Sequence, residues 1–247
     1  MIPGLLIRTL AVAAVVFSAS ILGHSGTALG GTHRVFTAGK SVQDRAIRVQ
    51  RHGDPSAPFK ALIVGSIHGD EPEGMRVVRR LDRLAELGIK SVDLWTIRTV
   101  NPDGIARGSR GNSRGVDLNR NFPHRFDPTL NGGYESGPEP LSEPESRTIA
   151  RIAWGRNFDL SIWYHQPWGR TLVPCGPTAR FARRYARLSG LEAEPGCDRP
   201  YPGSVSDWMR HRFGTRAFVV ELGAGRPARP EVDRHARAAI RLIKSMR

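Results

Sequence analysis

The sequence predicts an α/β domain, a three-layer sandwich in which helices cover both faces of a mixed, largely parallel sheet. Apolar runs of strand length alternate along the chain with stretches of helical periodicity, the order that builds such a sandwich. Several of those runs are nearly continuous, as strands covered on both faces must be. The chain has 247 residues, which suits one domain with a sizeable core. Its hydrophobic content of 39% sets it apart from disordered chains.

Residues 46–50 form the first predicted strand, and 61–67 form an apolar run fit for the sheet centre. Residues 72–87 read as a helix, with Met75, Val78, Leu81, Leu84 and Leu87 on one face. A strand follows at 92–100. Residues 101–131 are rich in Gly, Asn, Arg and Pro, so they are expected to form a long loop, of the length that usually serves function. Ser142-Glu-Pro-Glu145 has the order of a capping box and should open a helix running to 154. Residues 158–164 are the next strand and lead into His165. Helices are expected at 178–188 and 205–213. The strand 217–220 leads into Glu221, and a terminal helix covers 231–246, with Ala236, Ala239, Ile240 and Ile243 facing inward.

Residues 1–30 differ from the rest. Arg8 is their only charged residue, and 10–22 are apolar or small. That run is shorter than the roughly 18–20 residues that span a bilayer. With small residues at 26–30, it has the layout of an export signal; an uncleaved anchor is the alternative. Residues 31–247 would then be the catalytic domain, without a membrane span, working in the periplasm, in the cell envelope or outside the cell. Cys175 and Cys197 are the two cysteines. In an exported chain they suggest one disulfide, the alternative being two unpaired thiols.

The formal charge is +14 and the sequence pI about 11.1. A solvated basic surface accounts for this, and so does attraction to acidic material such as anionic cell-wall polymers or carboxylate-rich peptides. The cations are scattered and no nucleic-acid-binding motif accompanies them, so nucleic acid ranks last.

Three strands end in a candidate catalytic group: His68 with Glu71, His165, and Glu221. Neighbouring strands bring their C-terminal ends together, where open α/β sheets place their sites. His68, Glu71 and His165 could therefore bind one metal ion, since zinc takes imidazole nitrogen and carboxylate oxygen and keeps a fourth position for water. A lone histidine is more often a satisfied core or edge residue; the company of the other groups argues otherwise here. Glu221 ends an apolar strand, where a carboxylate is costly unless it is paired or works chemically. It could be the general base; a rim carboxylate paired with an arginine is the alternative. The long loop supplies Arg110, Asn119 and Arg120. A hydrolase acting beside a carboxylate needs a fork of donors to hold it and a cation for the oxyanion. Arg107 or Arg114 could stand in for Arg110.

These residues amount to a resemblance. His68-x-x-Glu71, Asn101-Pro-Asp-Gly104, Gly115-Val-Asp-Leu-Asn-Arg-Asn121, Tyr164-His165 and the strand-end Glu221 resemble the zinc carboxypeptidase family, the relatives of carboxypeptidase A. His165-Gln-Pro167 and Pro140-Leu-Ser-Glu-Pro-Glu145 are most similar to its bacterial murein peptide amidase branch. The resemblance spans residues 61–223. It implies one Zn2+ per chain on His68, Glu71 and His165, Glu221 as general base and then proton donor, Arg110 polarising the scissile carbonyl, and Asn119 with Arg120 holding a substrate carboxylate. The family's mobile tyrosine has only an approximate counterpart. Tyr201 lies a few positions too close to Gly203-Ser-Val-Ser-Asp-Trp208, so it is a substrate-side candidate or a packed loop residue.

The expected function is hydrolysis of an amide near a free carboxylate. The substrate is a peptide C-terminus or a muropeptide, cut in the latter between the γ-carboxyl of D-glutamate and a diamino acid. An N-acyl amino acid deacylase of the aspartoacylase or succinylglutamate desuccinylase type is a second reading. A cationic wall-binding protein without turnover is a third.

Overall fold

The computed structural model describes residues 32–196 and 201–246. The leader 1–30 and Cys197 lie outside the described residues; Cys175 is disulfide-bonded. The strands are β1 (Thr32–Lys40), β2 (Ala46–Gly53), β3 (Lys60–Val64), β4 (Asp93–Ile97), β5 (Leu160–His165), β6 (Trp168–Val173), β7 (Glu192–Pro195) and β8 (Arg216–Gly223). They form one sheet in the order β1-β2-β4-β3-β5-β8-β6-β7. Its centre, β4-β3-β5-β8, is parallel, while β1, β2 and β6 pair antiparallel with their inner neighbours.

Alternation along the central strands assigns each residue to one of two cores. Ala61, Ile63, Ile162, Tyr164, Phe218 and Val220 face one side. There they meet α1 (Gly74–Glu86), α4 (Ala179–Ser189) and α6 (Arg229–Lys244), with α6 lying between the other two. Leu62, Val64, Trp163 and Ala217 face the other side, towards α3 (Pro144–Arg156) and α5 (Val205–Phe213). The three-layer sandwich is therefore as expected. α1 shows how sequence makes this layer: Val77, Val78, Leu81 and Ala85 are buried while Arg79 and Arg83 stay in solvent. Among the described residues no helix is long and apolar enough to cross a membrane.

Several boundaries differ from expectation. β1, β6 and β7 were not expected from the sequence. β3 stops at Val64, and 65–73 are a loop that keeps Ile67 buried. The expected loop at 101–131 contains α2 (Pro102–Arg107) and a 3-10 turn at Leu118–Arg120. The capping box does not form. Glu143 is the N-cap of α3 without a side-chain cap. Ser142 Oγ donates to Glu143, and the Glu145 carboxylate accepts from the Val42 amide and the Asn112 side chain.

One buried polar chain crosses the α6 layer. Tyr164 and Tyr185 share a hydrogen bond of 2.9 Å, and Tyr185 meets His235 Nδ1 at 2.9 Å. Burial, then the neighbouring Arg234, push the His235 imidazole down to about 4. Between that value and its ordinary value the unfolded chain binds a proton that the folded chain refuses. Stability should therefore fall as pH drops from about 6.5 towards 4, by up to roughly 3 kcal/mol from this group. Denaturant titrations of wild type and His235→Phe across that window test it. Equal slopes for the two proteins would remove His235 as the cause.

Candidate active site

The three parallel strands β3, β5 and β8 lie side by side and carry the site at their C-terminal ends. His165 closes β5 and is register-paired with Glu221 in β8. His68 and Glu71 come from the loop after β3. That loop is fixed at close range: Ser66 Oγ donates to the His68 carbonyl at 2.6 Å, and the Gly69 amide donates to Ser109 at 3.0 Å. A Cβ on Gly69 would stand 2.0 Å from the Gly104 carbonyl carbon, so glycine at 69 is what lets α2 approach. Gln166 clamps the other side. Its oxygen accepts from the Glu73 amide, and its nitrogen donates to Gly223 and Gly225.

His68, Glu71 and His165 converge, each offering one ligand atom within 4.8 Å of the others. Nδ1 of His68 lies 3.0 Å from Glu71 Oε1, and Nδ1 of His165 lies 2.8 Å from Oε2. His68 donates from Nε2 to Asp117 Oδ1 at 2.9 Å. With the proton held there, Nδ1 faces the carboxylate as a lone pair, and it has no hydrogen bond despite the short distance. Two acceptors so close call for a proton or a cation between them. Two imidazoles and one carboxylate are a donor set that zinc accepts, and Asp117 is the outer carboxylate that fixes a ligand histidine's tautomer. The residues thus fit a divalent metal. The electrostatics agree. Burial opposes a charge on His68, yet Asp117 and Glu71 raise the imidazole to about 9. Burial likewise opposes charge on Glu71, but the two histidines hold it well below the carboxylate range.

Glu221 is buried, and its Oε2 has no hydrogen-bond partner among the described residues. Arg170, opposite it in β6, donates instead to Glu194 at 2.7 Å, so among the described residues no arginine holds Glu221 as a rim pair. Burial, then repulsion from Glu71, push its carboxyl up to about 8. A cation at the cluster would act in the opposite direction and restore the carboxylate.

The arginine loop is built around Asp117. Its Oδ1 accepts from His68 and the Asn119 amide, and its Oδ2 accepts from Arg110 Nε at 3.0 Å. Arg110 also donates from Nη1 to Glu71 at 3.0 Å. Asn101 caps α2 through the Gly104 amide and donates to the Arg110 carbonyl, which explains the Asn-Pro-Asp-Gly turn. Asn119 Oδ1 accepts from the Val205 amide at 3.0 Å, leaving its nitrogen for the cavity. Gly203 packs on the Arg120 carbonyl, where a Cβ would come within 1.9 Å. Arg107 donates to the backbone of 112 and 113, and Arg114 to Glu143, so neither replaces Arg110.

All eight sequence candidates line one cavity of about 920 Å³: His68, Glu71, Arg110, Asn119, Arg120, His165, Tyr201 and Glu221. Arg120 lies 5.6 Å from the Tyr201 ring centroid, which places that tyrosine beside the guanidinium. Sequence reasoning missed two members of the site. Asp117 was quoted within the loop motif without a role. Tyr134 lines the cavity with Arg110 and Arg120 at 4.9 and 5.4 Å from its ring; an aromatic in a Gly-rich loop was its only signal.

A two-histidine, one-carboxylate cluster with a separate acid, at the ends of parallel strands, defines a hydrolytic metal-site architecture on this fold. The chain belongs to the zinc carboxypeptidase family, whose model matches residues 27–231. It is 35% identical to carboxypeptidase SOL1 of Arabidopsis thaliana, over 76% of this chain and 45% of that protein. It is 29% identical to gamma-D-glutamyl-L-diamino acid endopeptidase 1 of Lysinibacillus sphaericus, over 48% of this chain and 32% of the relative. The chain thus spans less than half the length of these relatives. Among solved structures, carboxypeptidase A of Helicoverpa armigera superposes with a TM-score of 0.74 at 17% identity, over 87% of this chain and 69% of the other. Murein-tripeptide amidase MpaA of Escherichia coli O157 superposes with a TM-score of 0.65 at 22% identity, over 85% and 91%. At those identities the structural likeness is one of fold.

Proposed function

We propose that this chain is a zinc-dependent peptidase that hydrolyses an amide bond beside a free carboxylate. The observation that carries the reading is the gathering of a metal-type cluster, an unpaired buried acid and a carboxylate fork in one cavity. His68, Glu71 and His165 would hold one Zn2+, which when bound supplies Lewis acidity and lowers the pKa of water. Glu221 takes the proton of the attacking water and passes it to the leaving amine. Arg110, aimed by Asp117, donates to the carbonyl oxygen as negative charge develops there. Arg120 and the Asn119 amide hold the substrate carboxylate in bidentate fashion. Asp117 keeps His68 in the ligating tautomer and aims Arg110, so one carboxylate sets both.

Two substrates suit this site: an ordinary peptide C-terminus, and a peptidoglycan stem peptide cut between γ-D-glutamate and a diamino acid. The second is the bond type in the name of the Lysinibacillus relative. The apolar leader supports export and work in the cell envelope or outside the cell, and the +14 charge suits anionic wall material there. Mass spectrometry of products from a mixed panel of muropeptides, plain peptides and N-acyl amino acids is the direct test. Release of a C-terminal residue or a stem-peptide fragment is expected. Turnover of N-acyl amino acids alone would replace the proposal with a deacylase, and turnover of nothing by the zinc-loaded chain would remove it.

A further inference from the structure

The outer surface of the α1, α4 and α6 layer carries charge of nearly one sign. Each helix turns its apolar side to the sheet, so its remaining positions form a stripe at helical spacing. On α4 the stripe is Arg180, Arg183, Arg184 and Arg187, all exposed, and the helix holds no acidic residue. On α6 it is Arg234, Arg237, Arg241 and Lys244, and on α1 it is Arg79 and Arg83. Besides these, the three helices expose only Glu86, Arg229 and Pro230. Glu231 and Asp233 are half-buried, and Asp233 accepts from Arg80 Nε at 2.6 Å. Arg234 ties α6 to the end of α4 by donating to the Ser189 carbonyl at 2.7 Å. Among the described residues no cation of the three stripes takes part in an ion pair.

This arrangement works against the stability of the helices. Arginines three and four residues apart on one face repel each other. Arg180 stands in the first turn of α4, which holds no acid, at the positive end of the helix dipole. A surface that serves solubility alone intersperses both signs. The opposite layer is far less charged: α3 and α5 expose three arginines, Arg147, Arg151 and Arg212. An arginine-rich composition therefore does not by itself account for the concentration on one face.

The layout selects the partner. α6 lies between α1 and α4, and neighbouring helix axes pack roughly 8–10 Å apart. With 16 residues in α6 at about 1.5 Å each, the stripes cover a patch about 20 Å across and about 24 Å long. A planar array of anions meets all three stripes at once, whereas a linear polyanion follows one or two. No residue of the stripes is apolar, so the contact is with headgroup charge and does not insert. The catalytic cavity opens at the strand ends, at the rim of this layer, and none of these cations lines it.

We propose that the outer face of the α1-α6-α4 layer docks the protein on an anionic phospholipid surface through arginine–phosphate pairs, with the catalytic cavity left open at the side. The docking is independent of what the cavity hydrolyses.

Cosedimentation of the full chain with vesicles tests it. Vesicles of phosphatidylcholine with about 30% phosphatidylglycerol should bind at least roughly tenfold more tightly than phosphatidylcholine alone. That preference should fade between about 0.1 M and about 0.5 M salt. At about fivefold per cation, the triple variant Arg183→Gln, Arg237→Gln, Arg241→Gln should lose roughly 100-fold in affinity for the anionic vesicles. Its thermal midpoint should not fall, since it removes like-charge pairs. The triple variant Arg147→Gln, Arg151→Gln, Arg212→Gln makes the same change in net charge on the opposite layer and should lose only a few-fold. Equal binding to both vesicle types, or equal losses in the two variants, overturns the docking face. Tighter binding of soluble long-chain polyphosphate than of vesicles at matched phosphate would also overturn it, by assigning the face to a linear polyanion. The first variant should cleave a soluble substrate at the wild-type rate, and a matching loss of that activity would count against a separate docking face.

Discussion

Replacing Glu221 by glutamine should leave the fold and the metal content intact and lower kcat by roughly 10²–10⁴-fold, the range for loss of a general base. Glutamine has nearly the same shape, so packing against β5 and β6 persists, and Glu221 is not among the three convergent ligands. What disappears is the ability to accept and return a proton. The prediction has a second arm in pH. Without a cation, burial and Glu71 hold the carboxyl protonated up to about 8. A bound divalent charge pulls it down. The acidic limb of the kcat/KM profile should therefore lie well below pH 8 in the zinc-loaded protein and vanish in the variant. Near-normal hydrolysis by Glu221→Gln would strip the residue of its role.

His68→Ala should lose the metal outright. It removes one of three ligands and also leaves Asp117 and Glu71 facing each other without the imidazole that now lies between them. Buried charges that lose a partner are costly, on the order of 3–5 kcal/mol for a broken buried pair, so the variant should also melt earlier. Elemental analysis after dialysis and a thermal scan measure both. Asp117→Asn makes the comparison sharper. It retains all three ligands and should weaken metal affinity by about 10–100-fold, as outer carboxylates do. A fully loaded His68→Ala protein would sink the ligand set, whatever its activity.

The metal-type cluster was legible because its chemistry is restrictive. Few residue types bind zinc, and here they stood at the ends of apolar runs that neighbouring strands could bring together. The exact strand end was not legible. Ile67 follows closely on the apolar run of β3 and is buried in its loop as deeply as a strand residue. α2 was hidden by Pro102 and Gly104, which read as turn residues although proline suits a first helical turn. Ser142 and Glu145 matched a capping box, but tertiary partners claimed both: Asn121 donates to Ser142, and Asn112 and Val42 to Glu145. Asp117 was beyond reach for a similar reason. Its meaning lies in His68, 49 residues away, and no local pattern announces a contact of that span. The edge strands β1 and β7, and β6 next to the edge, carry weak signals because they are half exposed and polar.

The wide spacing of the cluster has a consequence for how the protein matures. Glu71 and His165 are 94 residues apart, and they meet only after β3 and β5 have paired. A chain still forming its sheet has no complete nest for the ion, unlike small domains whose ligands sit in adjacent turns and which need the metal to fold at all. The scaffold must therefore stand before the ion arrives. Refolding in the presence of a chelator should give the same sheet at the same rate, and adding zinc afterwards should switch on turnover without a second folding event.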